Sequence, residues 1–387
     1  RKQGRPDSSC LELEFMLLAS GAMYDRPLGL RHLHVVERYH EHIGFSVARR
    51  LARGVGRPIA LIAGIGWALT RWLLGSRVHR GPHPLRAIGA FYVSLMYAAG
   101  LESASRGPDG LRRLIELAMP AAGGGLRSLR VAVIGLEGAI AMNLGNWAVA
   151  KERFAQTIHD IHTDRSSRYL ASGFMLRIGE AGLRAQLALS KAITLDPGLE
   201  DDHRAMEALD LHLTRMQILV SRVVERRLRG AEDDARALEE QFEGLSLQVG
   251  SSWMLDAWMV RYGALGYALC RDVVGLKRSA DQLAMLLDRG LELRSSLALI
   301  RGEYHRERGE LAAAAAELTE GLNALHPEES FTRAWLLSAL AETLLASEEL
   351  ERAAEVAREC IEIAEAAAAQ HAIPSLRATR ALALAEA

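Results

Sequence analysis

"MNLGNWAVAKERF", residues 142–154, sets a glycine, an asparagine and a tryptophan side by side in a stretch that otherwise reads as helix. Counted from Gly145, Gly138 lies seven residues before, Ala150 five after and Phe154 nine after. Glycine tolerates backbone conformations that other residues resist, so Gly145 is expected to turn the chain between two helices. A small residue midway along the first helix admits the second one closely, and Ala150 and Phe154 fill the space between them. Trp147, Ala150, Phe154, Ile158 and Ile161 follow the i, i+3, i+7, i+11, i+14 series of one helical face, while Lys151, Glu152 and Gln156 point elsewhere. One hairpin cannot bury such a face alone, so neighbouring hairpins are expected to stack on it.

The same frame recurs. Gly230 is followed five residues later by Ala235, Gly275 by Ala280, and Gly309 by Ala314 with Leu318 at nine. Glu348 takes the glycine's place before Ala353, Ala357 and Cys360. From Gly230 onward the anchors stand 45, 34 and 39 residues apart, and the 85 residues from Gly145 to Gly230 leave room for one more, degenerate hairpin. Gly138, Gly145, Trp147, Ala150 and Phe154 together resemble the tetratricopeptide repeat, a pair of antiparallel helices with W-x2-L-G-x2-Y in the first and A-x3-F in the second. Glu137 stands where that family prefers Leu, Ala141 where it prefers Tyr, and no proline closes the hairpin. The resemblance covers residues 128–387. It implies an all-α, right-handed superhelix (solenoid) of antiparallel helical hairpins, whose concave groove is lined by the first helices. Its groove-facing positions carry over to Met142, Arg227, Tyr262, Glu303, Arg306 and Trp335, a mix of aromatic and arginine groups of the kind that dominates protein interfaces.

The rest of the chain agrees with helices throughout. Alternating strand patterns are nearly absent; "RVAVIG" (130–135) comes nearest, but it flows unbroken into "LEGAIAM" and reads as helix. Breaks fall at 106–110, 120–125, 196–202, 247–252 and 326–330. The stretch "ESASRGPDG" (102–110) predicts a boundary between a segment 1–104 and a repeat array 105–387. Charge divides similarly: residues 1–130 hold 19 basic and 9 acidic residues, and the remainder 28 and 39. Between His42 and Leu101 there are eight arginines and no acid. The two apolar runs there, 58–70 and 87–101, each fall short of the roughly 20 residues of a spanning helix. They are expected to form a buried hairpin at the start of the array. Two other readings are a basic hairpin lying on an anionic membrane surface and a face for an upstream domain. The first residue is Arg1, and the chain is expected to be a piece of a longer protein.

Signals for chemistry are sparse. His32, His34, His40 and His42 accompany Glu37 and Glu41, but no two of these histidines have the i, i+4 spacing of a helical zinc site. His159, Asp160, His162 and Asp164 sit where a second helix ends, a place for capping polar groups. No phosphate-binding lysine loop, dinucleotide fingerprint or nucleophile elbow is present. Only four lysines occur, and Cys10, Cys270 and Cys360 stand far apart, which suits a reducing compartment. The N-terminal arginines attract phosphate in principle, yet aromatic interleaving is thin and nucleic acid is not the expected partner. The sequence therefore predicts no catalytic residue, cofactor or metal, and a cytoplasmic region that binds a protein or peptide partner. It is similar to the helical tails of bacterial multidomain signalling ATPases and kinases, with an effector domain attached outside the chain. The alternatives are a membrane-peripheral assembly factor docking through residues 42–101 and a metal-dependent enzyme using the histidine-rich segment. On this reading charge reversal at Arg227 and Arg306 removes partner capture without lowering the melting temperature, Ala150→Glu unfolds the array, and Lys151→Glu is near neutral.

Overall fold

The computed structural model describes residues 127–163, 173–209, 211–249, 253–288, 293–367 and 371–387, with Arg112 and Leu291 besides. The histidine-rich segment 31–42, the apolar runs within 42–101, the boundary at 102–110 and Asp164 lie outside the described residues. Among those described there are thirteen helices and no strand. They are α1 (Arg127–Leu144), α2 (Trp147–Thr163), α3 (Gly173–Ile193), α4 (Leu199–Glu207), α5 (His212–Leu228), α6 (Glu232–Val249) and α7 (Trp253–Cys270). Then come α8 (Val273–Asp288), α9 (Arg294–Glu307), α10 (Leu311–Asn323), α11 (Ser330–Ala346), α12 (Leu350–Ala366) and α13 (Ala372–Glu386). "RVAVIG" lies inside α1, as its sequence context requires. No helix among the described residues is long and apolar enough to cross a membrane.

Six helix-to-helix turns share one construction. A residue with positive φ stands just past the first helix: Gly145, Leu195, Gly230, Arg271, Gly309 and Glu348. Its N–H bonds the carbonyl three residues back, and the next N–H bonds the carbonyl five back, as in Gly145 to Met142 and Asn146 to Ala141 at 3.2 and 2.8 Å. The same pair recurs from Gly309 to Arg306 and Glu310 to His305, and from Glu348 to Leu345 and Glu349 to Leu344. These bonds satisfy carbonyls that a helix end otherwise leaves bare. Gly145, Gly230, Gly309 and Glu348 hold the positions their spacing predicts. Gly275 does not. It lies buried within α8, where a Cβ would meet the Tyr267 ring at 2.3 Å, and the turn is made four residues earlier by Arg271. Leu276, five residues after Arg271, therefore takes the place expected of Ala280 and is fully buried. Leu195 makes the turn of the extra hairpin, α3 with α4, that the long gap allows.

The chain divides into two compact units, residues 1–137 with 155–183, and residues 138–154 with 184–387. In the first, a Cβ built on Gly135 would touch Thr157 and Leu183 at ordinary van der Waals distance, and His162 Nε2 meets Glu180 at 2.9 Å. In the second, helices pack sequentially: α5 with α6, α7 with α8, α9 with α10, and α11 with α12. The first helices of these pairs also follow one another directly, α5 on α7, α7 on α9, α9 on α11, and α11 on α13. The arrangement is compatible with a helical repeat fold.

Small residues at the helix centres permit that packing. Seven residues before the turn stand Gly138, Ala188, Ala264, Gly302 and Ala341, with the larger Val223 as the exception. A Cβ on Gly138 would reach the Phe154 ring at 2.8 Å, and one on Gly302 would reach Leu318 at 2.5 Å. Where the first helix carries glycine the second carries a large group nine residues after the turn. Where it carries Ala264 or Ala341 the second carries Ala280 or Ala357, and all of these are buried. Helix α11 is buried along most of its surface, with Phe331, Ala334, Trp335, Leu337, Ala341 and Leu344 enclosed, as an interior helix must be.

Candidate functional site

All six residues expected in the groove lie in the second unit, and the structure buries them or nearly so. Met142 is 6%, Arg227 1%, Tyr262 3%, Glu303 0% and Trp335 1% exposed, and the Arg306 side chain is 13% exposed. All but Met142 fall into three clusters. Met142, near the end of α1, accepts the Gly145 N–H through its carbonyl.

Arg227, at the end of α5, has its guanidinium over the Tyr267 ring of α7, 3.6 Å from the centroid. It donates to Glu239 at 2.6 Å, to Glu232 at 3.3 Å and to the Tyr267 hydroxyl. Arg278 of α8 approaches Glu239 at 3.1 Å. Burial pushes the Tyr267 hydroxyl above the usual tyrosine range, with the arginines opposing it. Gly266 makes this possible, since a Cβ there would stand 2.3 Å from Arg227 Cβ. A cleft of about 280 Å³ opens beside the cluster, walled by Phe242 and Glu243 of α6, Met259 of α7, and Arg278, Gln282 and Met285 of α8.

Glu303 and Arg306 meet on α9 at 2.7 Å. Arg377 of α13 reaches Glu303 at 2.7 Å and Glu342 of α11 at 2.6 Å, and Arg306 also faces Glu342 and Glu307. Burial alone would raise the Glu303 carboxyl, but Arg377 and Arg306 outweigh it and hold it below the ordinary range. The network ties three successive first helices through charges that are mostly enclosed, with Glu303 fully buried, an arrangement that is costly to break from one side. The Arg377 guanidinium also lies 5.7 Å from the Trp335 ring.

The third cluster is aromatic. Phe331 of α11 has Tyr262 of α7 and Trp335 each at 6.3 Å and His371 at 5.6 Å. Trp147, the first residue of α2, enters this notch edge-on, 5.1 Å from Phe331 and 6.0 Å from Tyr262. Gly145 brings the backbone alongside, since a Cβ there would lie 2.2 Å from Phe331 Cβ. Ser330 Oγ donates to the Leu144 carbonyl at 3.4 Å. The indole nitrogens of Trp147 and Trp335 are buried and find no acceptor among the described residues.

Tyr262 and Trp335 are thus joined through Phe331, and Trp335 to Glu303 and Arg306 through Arg377. Arg227 stands apart in its own cluster. Phe331, Arg377, Glu342 and Trp147 complete the arrangement and are missing from the expected set. Register held a signal for one of them: Glu342, like the expected Glu303, lies six residues before its turn.

Two further constellations are structural. His203 Nε2 lies 2.8 Å from Ser221 Oγ and its Nδ1 3.5 Å from Glu200, the order of a hydrolytic triad. His203 and Ser221 are enclosed, however, and Ser221 donates to carbonyls of its own helix, so the trio fastens α4 to α5. Cys360 is buried, its thiol pushed up to about 12 by burial, and it donates to the Ala334 carbonyl. Among the described residues no three His, Cys, Asp or Glu side chains converge as metal ligands would. The chain matches no protein-family model and no curated protein.

Proposed function

We propose that the chain is a non-enzymatic interaction or sensor region, built as a right-handed, tetratricopeptide-like superhelix, that binds a protein or peptide partner along the wall formed by its first helices. On this reading it serves a larger bacterial signalling or regulatory protein in the cytoplasm and passes occupancy to an attached effector. The observation that carries it is the unbroken succession α5–α7–α9–α11–α13, in which each first helix packs on the next. A wall of that kind is the extended surface that stacked helical repeats use for binding. The side chains gathered along it, Tyr262, Phe331 and Trp335 with Arg306 and Arg377, are the types that carry binding energy at protein interfaces. Function belongs to such a site and not to the fold itself. The test is site-specific photocrosslinking of the full chain in cells. A benzophenone amino acid at Tyr304, a half-buried aromatic on first helix α9, is expected to give a discrete partner adduct. The same group at Leu247, 89% exposed on second helix α6, is expected to give none. Adducts from Leu247 alone, or from neither site, would refute the assignment.

A further inference from the structure

We infer that the aromatic notch of Tyr262, Phe331 and Trp335 is a docking site for a partner that presents an indole on a glycine turn, and that Trp147 occupies it in cis until such a partner displaces it. The inference rests on the first-helix wall being the binding face. The occupant itself shows what the notch accepts. Trp147 enters at 77° to Tyr262 and 90° to Phe331, the edge-to-face geometry that aromatic pairs favour. The left-handed Gly145, φ 78°, lets the turn backbone lie against Phe331, where any Cβ would collide. The segment bearing Trp147 belongs to a hairpin 186 residues away in sequence from Ser330, so the contact is no by-product of neighbouring repeats stacking. It covers one of the six groove positions, Tyr262 on α7, together with Phe331 on α11, behind which Trp335 lies.

The fit is incomplete. Trp147 Nε1 is buried without an acceptor among the described residues, and the hydrogen bond from Ser330 to the turn backbone is long, at 3.4 Å. A tethered occupant competes with an effective concentration on the order of millimolar. An external indole has to overcome that concentration, so weakening the cis occupant raises the apparent affinity for an external one in proportion to the fraction of notch set open.

The probe is a fluorescein-labelled peptide with the sequence of residues 138–154, and a control peptide with alanine in place of tryptophan. Fluorescence anisotropy follows binding to the full wild-type chain and to two opened variants, Trp147→Ala and Gly145→Ala. The second leaves every notch residue in place and drives the turn off Phe331 through the clash of its Cβ and the strain of a non-glycine residue at φ 78°. The expected result is binding of the tryptophan peptide at least about ten-fold tighter to both variants than to the wild type, with no binding of the control peptide. Equal affinity for wild type and variants, or no binding to variants that keep wild-type helical circular dichroism, overturns the inference. Loss of helical structure in both variants overturns it too, since Trp147 is then a core element and no removable occupant. Dimerisation of the opened variants without peptide binding assigns the notch to a second copy and overturns the partner assignment. If the peptide fails while crosslinks at Tyr304 persist, the wall reading stands and only the notch falls.

Discussion

Arg227→Ala is the most informative single perturbation, because sequence and structure disagree about it. As a groove residue, Arg227 should be removable at the expense of partner binding alone. As folded, it is 1% exposed and neutralises Glu239 and Glu232 while its guanidinium covers the Tyr267 ring. Removing one member of a buried ion pair leaves the others uncompensated, a loss of about 3–5 kcal/mol. Arg278 still reaches Glu239 at 3.1 Å, which places the expected loss toward the lower end of that range. For a cooperative unit of this size each kcal/mol lowers the melting temperature by about 2–4 °C, so a fall of about 6–12 °C is expected. Arg227→Lys keeps the charge but loses the planar fork and its ring stacking, and should fall between the two. Arg227→Met with Glu239→Gln removes both charges and should recover most of the loss. The assay is thermal unfolding followed by circular dichroism on the full chain at neutral pH. A melting temperature within about 2 °C of wild type for Arg227→Ala would refute the buried-network account and return Arg227 to the role of a surface contact.

Ala150→Glu places a charge at a fully buried contact and should abolish the cooperative melting transition. Lys151→Glu, expected from sequence to be near neutral, should instead cost about 1 kcal/mol, because Lys151 pairs with Asp196 at 2.8 Å and both are only a quarter exposed. Chemical denaturation of each variant measures this, and no change for Lys151→Glu would show that the pair contributes nothing. Gly302→Ala forces a methyl to within 2.5 Å of Leu318 and should destabilise by about 1–3 kcal/mol. Gly302→Ala with Leu318→Ala restores the alanine pairing seen at Ala264 and Ala280 and should cost less than the two single losses added, whereas strict additivity would exclude a direct clash. Burial, and next the Arg222 charge, hold the His203 imidazole below its usual range, with Glu200 and Asp202 opposing. The unfolded chain then binds the extra proton, so stability is present above about pH 6.5 and lost as pH falls below it. Melting between pH 7.5 and 5.5 should show a drop that His203→Gln reduces, and an equal drop in both would clear His203 of any part in it. Glu348→Gly should raise the melting temperature by about 1–4 °C, since a non-glycine residue at φ 63° costs about 1–2 kcal/mol and glycine's greater freedom when unfolded returns part of it. A lower melting temperature would mean that the Glu348 side chain stabilises the turn.

The Glu348 and Gly275 positions explain how much of the fold was legible. Residues 142–154 are read correctly because a turn glycine, a tryptophan and the Ala150–Phe154 spacing all point to one register. Around Gly275 a second glycine stood at a plausible distance from an alanine, and a rule based on residue type followed it. The turn itself needs a positive φ, and Arg271, Leu195 and Glu348 supply one without glycine, at φ 57°, 52° and 63°. What marks the turn in every case is its pair of backbone bonds, which any residue makes. The alanine found five residues after most of these turns is a side-chain consequence, and at the Arg271 turn Leu276 takes that place. The site was less legible for a different reason. Arg227, Glu303 and Arg306 were placed by position within one repeat, and position fixes which helix they sit on. Whether they face solvent depends on partners elsewhere: Tyr267 lies 40 residues beyond Arg227, and Arg377 lies 74 beyond Glu303. Trp147 on the notch is the extreme case, since no periodicity within a hairpin encodes a contact with Phe331 across 184 residues. Stacked repeats are nearly one-dimensional, each touching its neighbours, and that is why their sequences read so directly. The turn at Gly145 departs from that rule by touching α7 and α11 at once. A nearest-neighbour reading must fail at that place, because Trp147 meets Tyr262 and Phe331 on two different first helices.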